Sequence, residues 1–191
     1  SSFTSMLLSG LMLFDMKNFA ANRALVERIV DCTSKLLTEG QDVAAIGRAG
    51  FERLVFLGTG SLQALAKETC LKVLELTAGK KVAVAESIVG FRHGPKSIVN
   101  DKTLVVMLFS ADSYTHAYEM DFLRELNHDE GSFKVMAVCP APDEEISALD
   151  DYMMVLDPQA KDSWGQDAYL AMGYVVFDHI LALAASMAEG V

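Results

Sequence analysis

Residues 53–76, "RLVFLGTGSLQALAKETCLKVLEL", decide the fold. An apolar, β-branched run (53–58) breaks at Gly58-Thr59-Gly60-Ser61 and passes directly into a stretch with helical patterning, predicted as a helix over 61–78. That is a strand, a tight turn and a helix. The same unit recurs along the chain. Further strand-like runs are "KVAVAE" (81–86), "TLVVMLFS" (103–110), "KVMAVCP" (134–140) and "YMMVLD" (152–157), with helix-compatible segments at 114–130 and 143–150. All but the last run are nearly continuous apolar blocks, the pattern of parallel strands covered on both faces. Five strands joined by helical crossovers predict an α/β fold with an open, doubly wound parallel sheet. A long helix closes the chain, and Ser163 with Gln166 forms a capping box for it.

The first 50 residues differ. They predict helices over 3–18, 22–38 and 41–48, with Ser2 or Thr4 as the first cap, and contain no strand-like run. The chain opens abruptly on an apolar helix face without an initiator Met, which reads as a fragment of a longer protein.

Composition narrows the function. The chain has 191 residues, of which 51% are hydrophobic and 22% charged, as expected of a globular domain. A net charge of −10 argues against nucleic acid, whose phosphates call for excess Lys and Arg. Cys32, Cys70 and Cys139 are odd in number and widely spaced, so they predict buried thiols in a reducing cytoplasm, not a disulfide framework or a zinc site. "MLLSGLMLF" (6–14) is too short to span a membrane and lacks the basic flank of a signal peptide. The terminal "AYLAMGYVVFDHILALAASMA" is long enough, but Asp178 and His179 at its centre predict a helix buried in protein.

Ligands of open parallel sheets collect beyond the carboxyl ends of the strands. Gly58, Thr59, Gly60 and Ser61 lie there, where a helix N-terminus can face an anion, although any tight turn of this kind favours glycine. Position 63 is Gln, so the turn is not a dinucleotide fingerprint, and it is not a P-loop. On the following helix Glu68, Lys72 and Glu75 stand at i, i+4 and i+7, within about 60° of arc. This stripe is either a solvated ion-paired face or a carboxylate base, Glu75, with Lys72 and Glu68 setting its charge environment. The next candidate is "ESIVGFRHGPKSIVND" (86–101), where Arg92, His93 and Lys96 crowd a Gly-Pro turn. His93 is either structural or a proton carrier, and the flanking cations favour an anionic substrate. The base, the histidine and the glycine turn are expected at one sheet edge. His116, His128 and His179 have no metal-ligand spacing.

These residues resemble a known family. "LGTGSLQALAKETCLKVLELTAGKKVAVAESIVGFRHGPKSIVNDKTLVV" is similar to the second half of sugar isomerase (SIS) proteins of the tagatose-6-phosphate ketose/aldose isomerase group, also described as galactosamine-6-phosphate deaminase/isomerase. "LKVLELTAGK" and "GFRHGPKS" are its specific parts. The resemblance implies a flavodoxin-like three-layer sandwich, with residues 1–50 the helical tail of a first SIS module plus the connection, and 51–191 a second module. It implies that Glu75 moves a proton between sugar carbons and that His93 helps open the sugar ring, supplied in related synthases by the neighbouring subunit. Glu68 and Lys72 match polar residues beside that glutamate, and Ser1 and Ser2 border the sugar site. The phosphate-gripping Ser/Thr loop of the family belongs to the first module.

The expected function is therefore a cytoplasmic phosphosugar isomerase/deaminase acting on an amino sugar phosphate such as galactosamine-6-phosphate, without metal or organic cofactor, as a homodimer or higher oligomer. It is expected to bind neither nucleic acid nor membrane, and this chain alone is expected to be inactive. The alternatives are a non-catalytic sugar-phosphate sensor of a regulator, and another SIS isomerase such as a glucosamine-6-phosphate synthase half or a fructosamine-phosphate deglycase.

Overall fold

A computed structural model describes residues 2–39, 41–160 and 164–191. The chain begins with α1 (Ser2–Phe14), a 3-10 turn (Met16–Asn18), α2 (Phe19–Glu39) and α3 (Gln41–Gly47). The expected first helix is cut at Asp15. That carboxylate accepts hydrogen bonds from the Asn18 and Asn22 side chains, each at 2.9 Å, and so rewards a turn over a continuing helix. Ser2 and Thr4 lie inside α1 and do not precede it.

The alternating part follows as β1 (Arg53–Gly58), α4 (Ser61–Leu76), β2 (Val82–Glu86), α5 (Ile88–Arg92), a second 3-10 turn (Pro95–Ile98), β3 (Thr103–Leu108), α6 (Ser113–His128), β4 (Lys134–Cys139), α7 (Glu144–Leu149), β5 (Tyr152–Val155) and α8 (Asp167–Ala188). All five strands are parallel, in the order β2-β1-β3-β4-β5. This is the flavodoxin-like order, with its switch point between β1 and β3. The expected doubly wound sheet is present. One strand departs from expectation: β2, read as covered on both faces, is an edge strand with Val82 exposed and the rest half-buried.

Side chains alternate across the sheet and build two cores. Leu54, Phe56, Leu104, Val106, Met136 and Val138 face α2, α3, α4 and α8. Val55, Leu57, Val105, Met107 and Ala137 face α5, α6 and α7. Ile29, Val43 and Ile46 of the N-terminal helices belong to the first core. Arg28 of α2 fastens that layer, pairing with Asp157 at 2.7 Å and lying 3.8 Å over the Trp164 ring.

The closing helix α8 has the length and apolarity of a membrane span, but 72% of its most apolar window is buried in protein. Its N-cap is Gln166, with no side-chain cap bond among the described residues; Ser163 of the expected capping box lies outside them. At Gly47 α3 crosses α8 so closely that a Cβ would fall 2.6 Å from the Leu181 carbonyl oxygen. The α4–α8 contact holds a buried polar pair: the Thr69 hydroxyl donates to Asp178 Oδ2 at 2.6 Å, while Oδ1 has no partner among the described residues. Burial pushes the Asp178 carboxyl up to about 7, against the Thr69 bond.

The unfolded chain ionises this group near 4 whereas the folded one keeps its proton to about 7, so stability falls as pH rises through that window. Asp178→Asn removes the cost of the buried charge. It is expected to be more stable than the parent at pH 8, by a few kcal/mol, and the gap should narrow as pH falls toward 4. Urea unfolding at the two pH values measures this.

Candidate active site

At the switch point, Gly58 and Gly60 are required by geometry. A Cβ on Gly58 would meet the Leu62 carbonyl oxygen at 2.5 Å, and Gly60 has φ +57°. Beneath this turn Glu119 of α6 is fully buried, accepting from the Ser110 backbone N–H at 2.8 Å and from the Thr59 hydroxyl. Burial pushes its carboxyl up to about 7, against those two bonds, and Oε1 has no partner among the described residues. Asp167 accepts from the Ser110 hydroxyl at 2.6 Å and from the Ala111 N–H at 2.9 Å. Asp112 caps α6 by accepting from the Thr115 N–H at 2.8 Å. Several donors at this edge, those of Ser110, Ala111 and Thr115, are thus taken by carboxylates of the chain itself. A neighbouring cavity of about 280 Å³, lined by Ser110, Ser113, His116, Asp143 and Trp164, has no Lys or Arg in its walls.

Glu119 and Asp167 escaped the sequence reading. A signal for Glu119 existed: it shares the i, i+3, i+4, i+7 stripe of Phe122, Leu123 and Leu126, an acid inside an apolar face.

The Glu68, Lys72 and Glu75 stripe lies on one flank of α4. The Lys72 ammonium is 2.7 Å from Glu75 and 3.7 Å from Glu68. The hydrogen bond to Glu75 is the main reason that the Lys72 ammonium holds its proton more tightly than an ordinary lysine. Glu68 is largely covered, whereas the Glu75 side chain is 51% exposed, so the stripe opens outward at its far end. The face is ion-paired and also presents an accessible carboxylate. Its place in the fold differs from expectation: Glu75 lies about 21 Å along the helix axis from Ser61, toward the end of α4 that leads back to the start of β2.

The basic turn is also rearranged by its partners. Ser87 caps α5 by accepting from the Gly90 N–H at 3.0 Å, and Phe91 packs edge-on against Phe122, anchoring the turn on α6. Arg92 then pairs with Glu125 at 2.5 Å, and Lys96 with Glu125 at 2.5 Å and Asp129 at 2.7 Å. Lys96 first, then Arg92, hold the Glu125 carboxyl below the ordinary glutamate range. Arg92 and Lys96 thus have their charge met by α6. His93 follows α5 and is exposed.

His93 is carried by α5, in the layer of α6 and α7; Glu75 is carried by α4, in the layer of α8. The buried sheet lies between the two layers. Of the remaining site candidates, Ser2 is exposed on α1, which packs against α8, and Ser1 lies outside the described residues. Among the described residues, no three His, Cys, Asp or Glu side chains are grouped as metal ligands.

The strand order defines a doubly wound protein of flavodoxin-like topology, and comparison with known proteins narrows that class. The SIS domain model matches residues 49–176, and the chain belongs to the SIS domain family. A D-galactosamine-6-phosphate deaminase, AgaS, of Escherichia coli is 41% identical over 150 residues, covering 78% of this chain and 38% of that protein. The solved tagatose-6-phosphate ketose/aldose isomerase of Escherichia coli superposes with TM-score 0.85 at 35% identity, over 97% of this chain and 49% of the other. The structure of a candidate enzyme of the same description from Clostridium novyi gives TM-score 0.95 at 36% identity, over 100% of this chain and 48% of the other. The chain thus spans half or less of the length of these relatives.

Removing Glu125 takes the carboxylate partner of Arg92 and one of the two partners of Lys96. Glu125→Ala is expected to lower stability by about 1 kcal/mol, the size of a partly exposed network. The loss should shrink at 1 M salt, where the Debye length is about 3 Å. Urea unfolding of parent and variant at low and high salt tests both statements.

Proposed function

We propose that this chain supplies the proton-transfer residues of an aldose–ketose isomerase/deaminase that converts an amino sugar phosphate such as galactosamine-6-phosphate into tagatose-6-phosphate and ammonia. The single observation that supports it best is the α4 stripe, an accessible Glu75 carboxylate with an ammonium 2.7 Å away, in a chain about 40% identical to proteins named for that reaction.

The chemistry follows from what the substrate needs. The closed sugar must exchange protons at its ring oxygen and anomeric hydroxyl, the role assigned to His93. Glu75 then takes the proton from C2 of the open aldehyde. The enolamine so formed bears negative charge on oxygen, which Lys72 can stabilise once it turns from Glu75 to the substrate. Return of the proton to C1 leaves a ketimine at C2. Water adds to that carbon and ammonia departs, giving the 2-ketose phosphate. No step calls for a metal or an organic cofactor. The phosphate is assigned to residues outside this chain, because the carboxyl edge here is lined by carboxylates.

The opposite placement of Glu75 and His93 supports a site shared between subunits, with the histidine supplied by a second copy. Met6, Leu13 and Phe14 of α1 and Leu183 and Met187 of α8 are exposed apolar residues suited to such an assembly. Residues 1–50 are read as the tail of a preceding SIS module and 51–191 as a second one, and a cytoplasmic setting goes with a phosphorylated metabolite.

Glu75→Gln in the natural full-length protein should lower ammonia release by about 10²–10⁴-fold. His93→Asn should act on the same reaction. Mixing the two inactive variants should restore about a quarter of the parental activity in a two-fold dimer, since half of the dimers then hold one intact shared site. Unchanged turnover in Glu75→Gln would remove the base assignment, and failure of the mixture to recover would remove the sharing.

A further inference from the structure

We propose that the cavity beyond the carboxyl ends of β3 and β4 is a second ligand site, built for a single unphosphorylated sugar ring that carries an amine. The inference goes beyond the reading of Glu75 as the base and does not depend on it.

The place follows from the topology. Ligands of open parallel sheets collect outside the carboxyl ends of the strands, normally at the switch point. Here that position, between β1 and β3, is underlain by the buried Glu119, which takes the Ser110 N–H at 2.8 Å and the Thr59 hydroxyl. The open space lies one strand further on. Ser113 and His116 of α6 form one side of it, Pro142 and Asp143 ahead of α7 another, and Ile146 and Trp164 are apolar walls. Its volume of about 280 Å³ stands at the lower bound of ligand pockets, about 300 Å³. That is room for one ring, not for a nucleotide or a disaccharide. Glu75 stands toward the opposite edge of the sheet, at the far end of α4, so a molecule held in the cavity does not reach it.

The walls are fixed by contacts of their own. The Trp164 indole N–H donates to the Pro140 carbonyl at 2.9 Å, and Arg28 lies 3.8 Å over the ring. The His116 ring packs on Phe109, with centroids 5.5 Å apart. Asp143 caps α7 with one carboxylate oxygen, Oδ1, which accepts from the Glu145 and Ile146 N–H groups at 2.9 and 3.0 Å. Its other oxygen, Oδ2, is 3.5 Å from His116 Nε2, beyond the reach of a good N–H···O bond, about 2.7–3.2 Å. The Asp143 side chain is 33% exposed, so Oδ2 is an acceptor that an incoming group can use.

The chemistry of these walls selects the ligand. An anion would find the first N–H groups of α7 taken by Asp143 and that of Thr115 in α6 taken by Asp112, and would meet a carboxylate. An ammonium finds Asp143 Oδ2. Trp164 and Ile146 suit the C–H face of a pyranose, while the Ser113 hydroxyl and the His116 imidazole suit the hydroxyls at its rim. An amine, an apolar ring face and a hydroxyl edge together describe a free hexosamine. A ring of a dozen non-hydrogen atoms at ordinary ligand efficiency gives a Kd of about 1–10 mM.

The test is titration of the natural full-length protein with galactosamine and with galactose, followed by the indole N–H signal of Trp164 in ¹H–¹⁵N spectra. That signal is assigned by its loss in Trp164→Phe. Galactosamine should shift it with a Kd in that range, and galactose should bind about tenfold more weakly, the worth of one charge-assisted hydrogen bond. Asp143→Asn keeps a residue that caps helices well but removes the charge, and should bring galactosamine down to the level of galactose. Ser113→Leu, at a wall position on the surface, should fill the cavity and abolish both responses without moving the urea midpoint. The galactosamine response should persist with tagatose-6-phosphate in saturating excess. Equal affinity for the two sugars, an unchanged response in Asp143→Asn or Ser113→Leu, displacement by tagatose-6-phosphate, or no response at all would each overturn the proposal.

Discussion

A parallel sheet buried on both faces is the constraint on which the rest of this molecule depends. Its strands alternate Leu54, Phe56 and Leu104 to one side with Val55, Leu57 and Val105 to the other, and each set needs its own helical layer. Once two layers exist, a side chain carried by one cannot meet a side chain carried by the other through a packed core. Glu75 belongs to the layer of α4 and α8, His93 to the layer of α5 and α6. The proposed sharing of the site between subunits brings residues of the two layers to one sugar.

The second theme is where an acidic protein puts its carboxylates. Four of them, Asp112, Glu119, Asp143 and Asp167, satisfy backbone or hydroxyl donors beyond the carboxyl ends of β1, β3 and β4. Elsewhere in doubly wound folds such donors attract anionic ligands. Here the chain meets several of them with its own carboxylates, which stabilises the loops. The stripe on α4 is the opposite case: two carboxylates share one ammonium, and one of them is half-exposed.

The buried polar pair between α4 and α8 joins these themes. Thr69 and Asp178 fasten the two helices, and burial in that contact keeps the Asp178 carboxyl protonated up to about 7.

Periodicity and local composition determined much by themselves. The apolar blocks, the glycine turn after β1 and the helical opening segment were legible because strands, turns and helices are chosen by interactions a few residues apart. The spacing of Glu68, Lys72 and Glu75 likewise put them on one face before any coordinates. Only the tertiary structure decided that β2 lies at the edge, that Glu125 and Asp129 neutralise Lys96, and that Asp15 breaks the first helix by meeting Asn22. It alone brought Glu119 from α6 to the turn after β1 and set Glu75 and His93 on opposite sides of the sheet. Strand order, ion partners and layer assignment arise from contacts between residues tens of positions apart, and no local pattern in the chain encodes them.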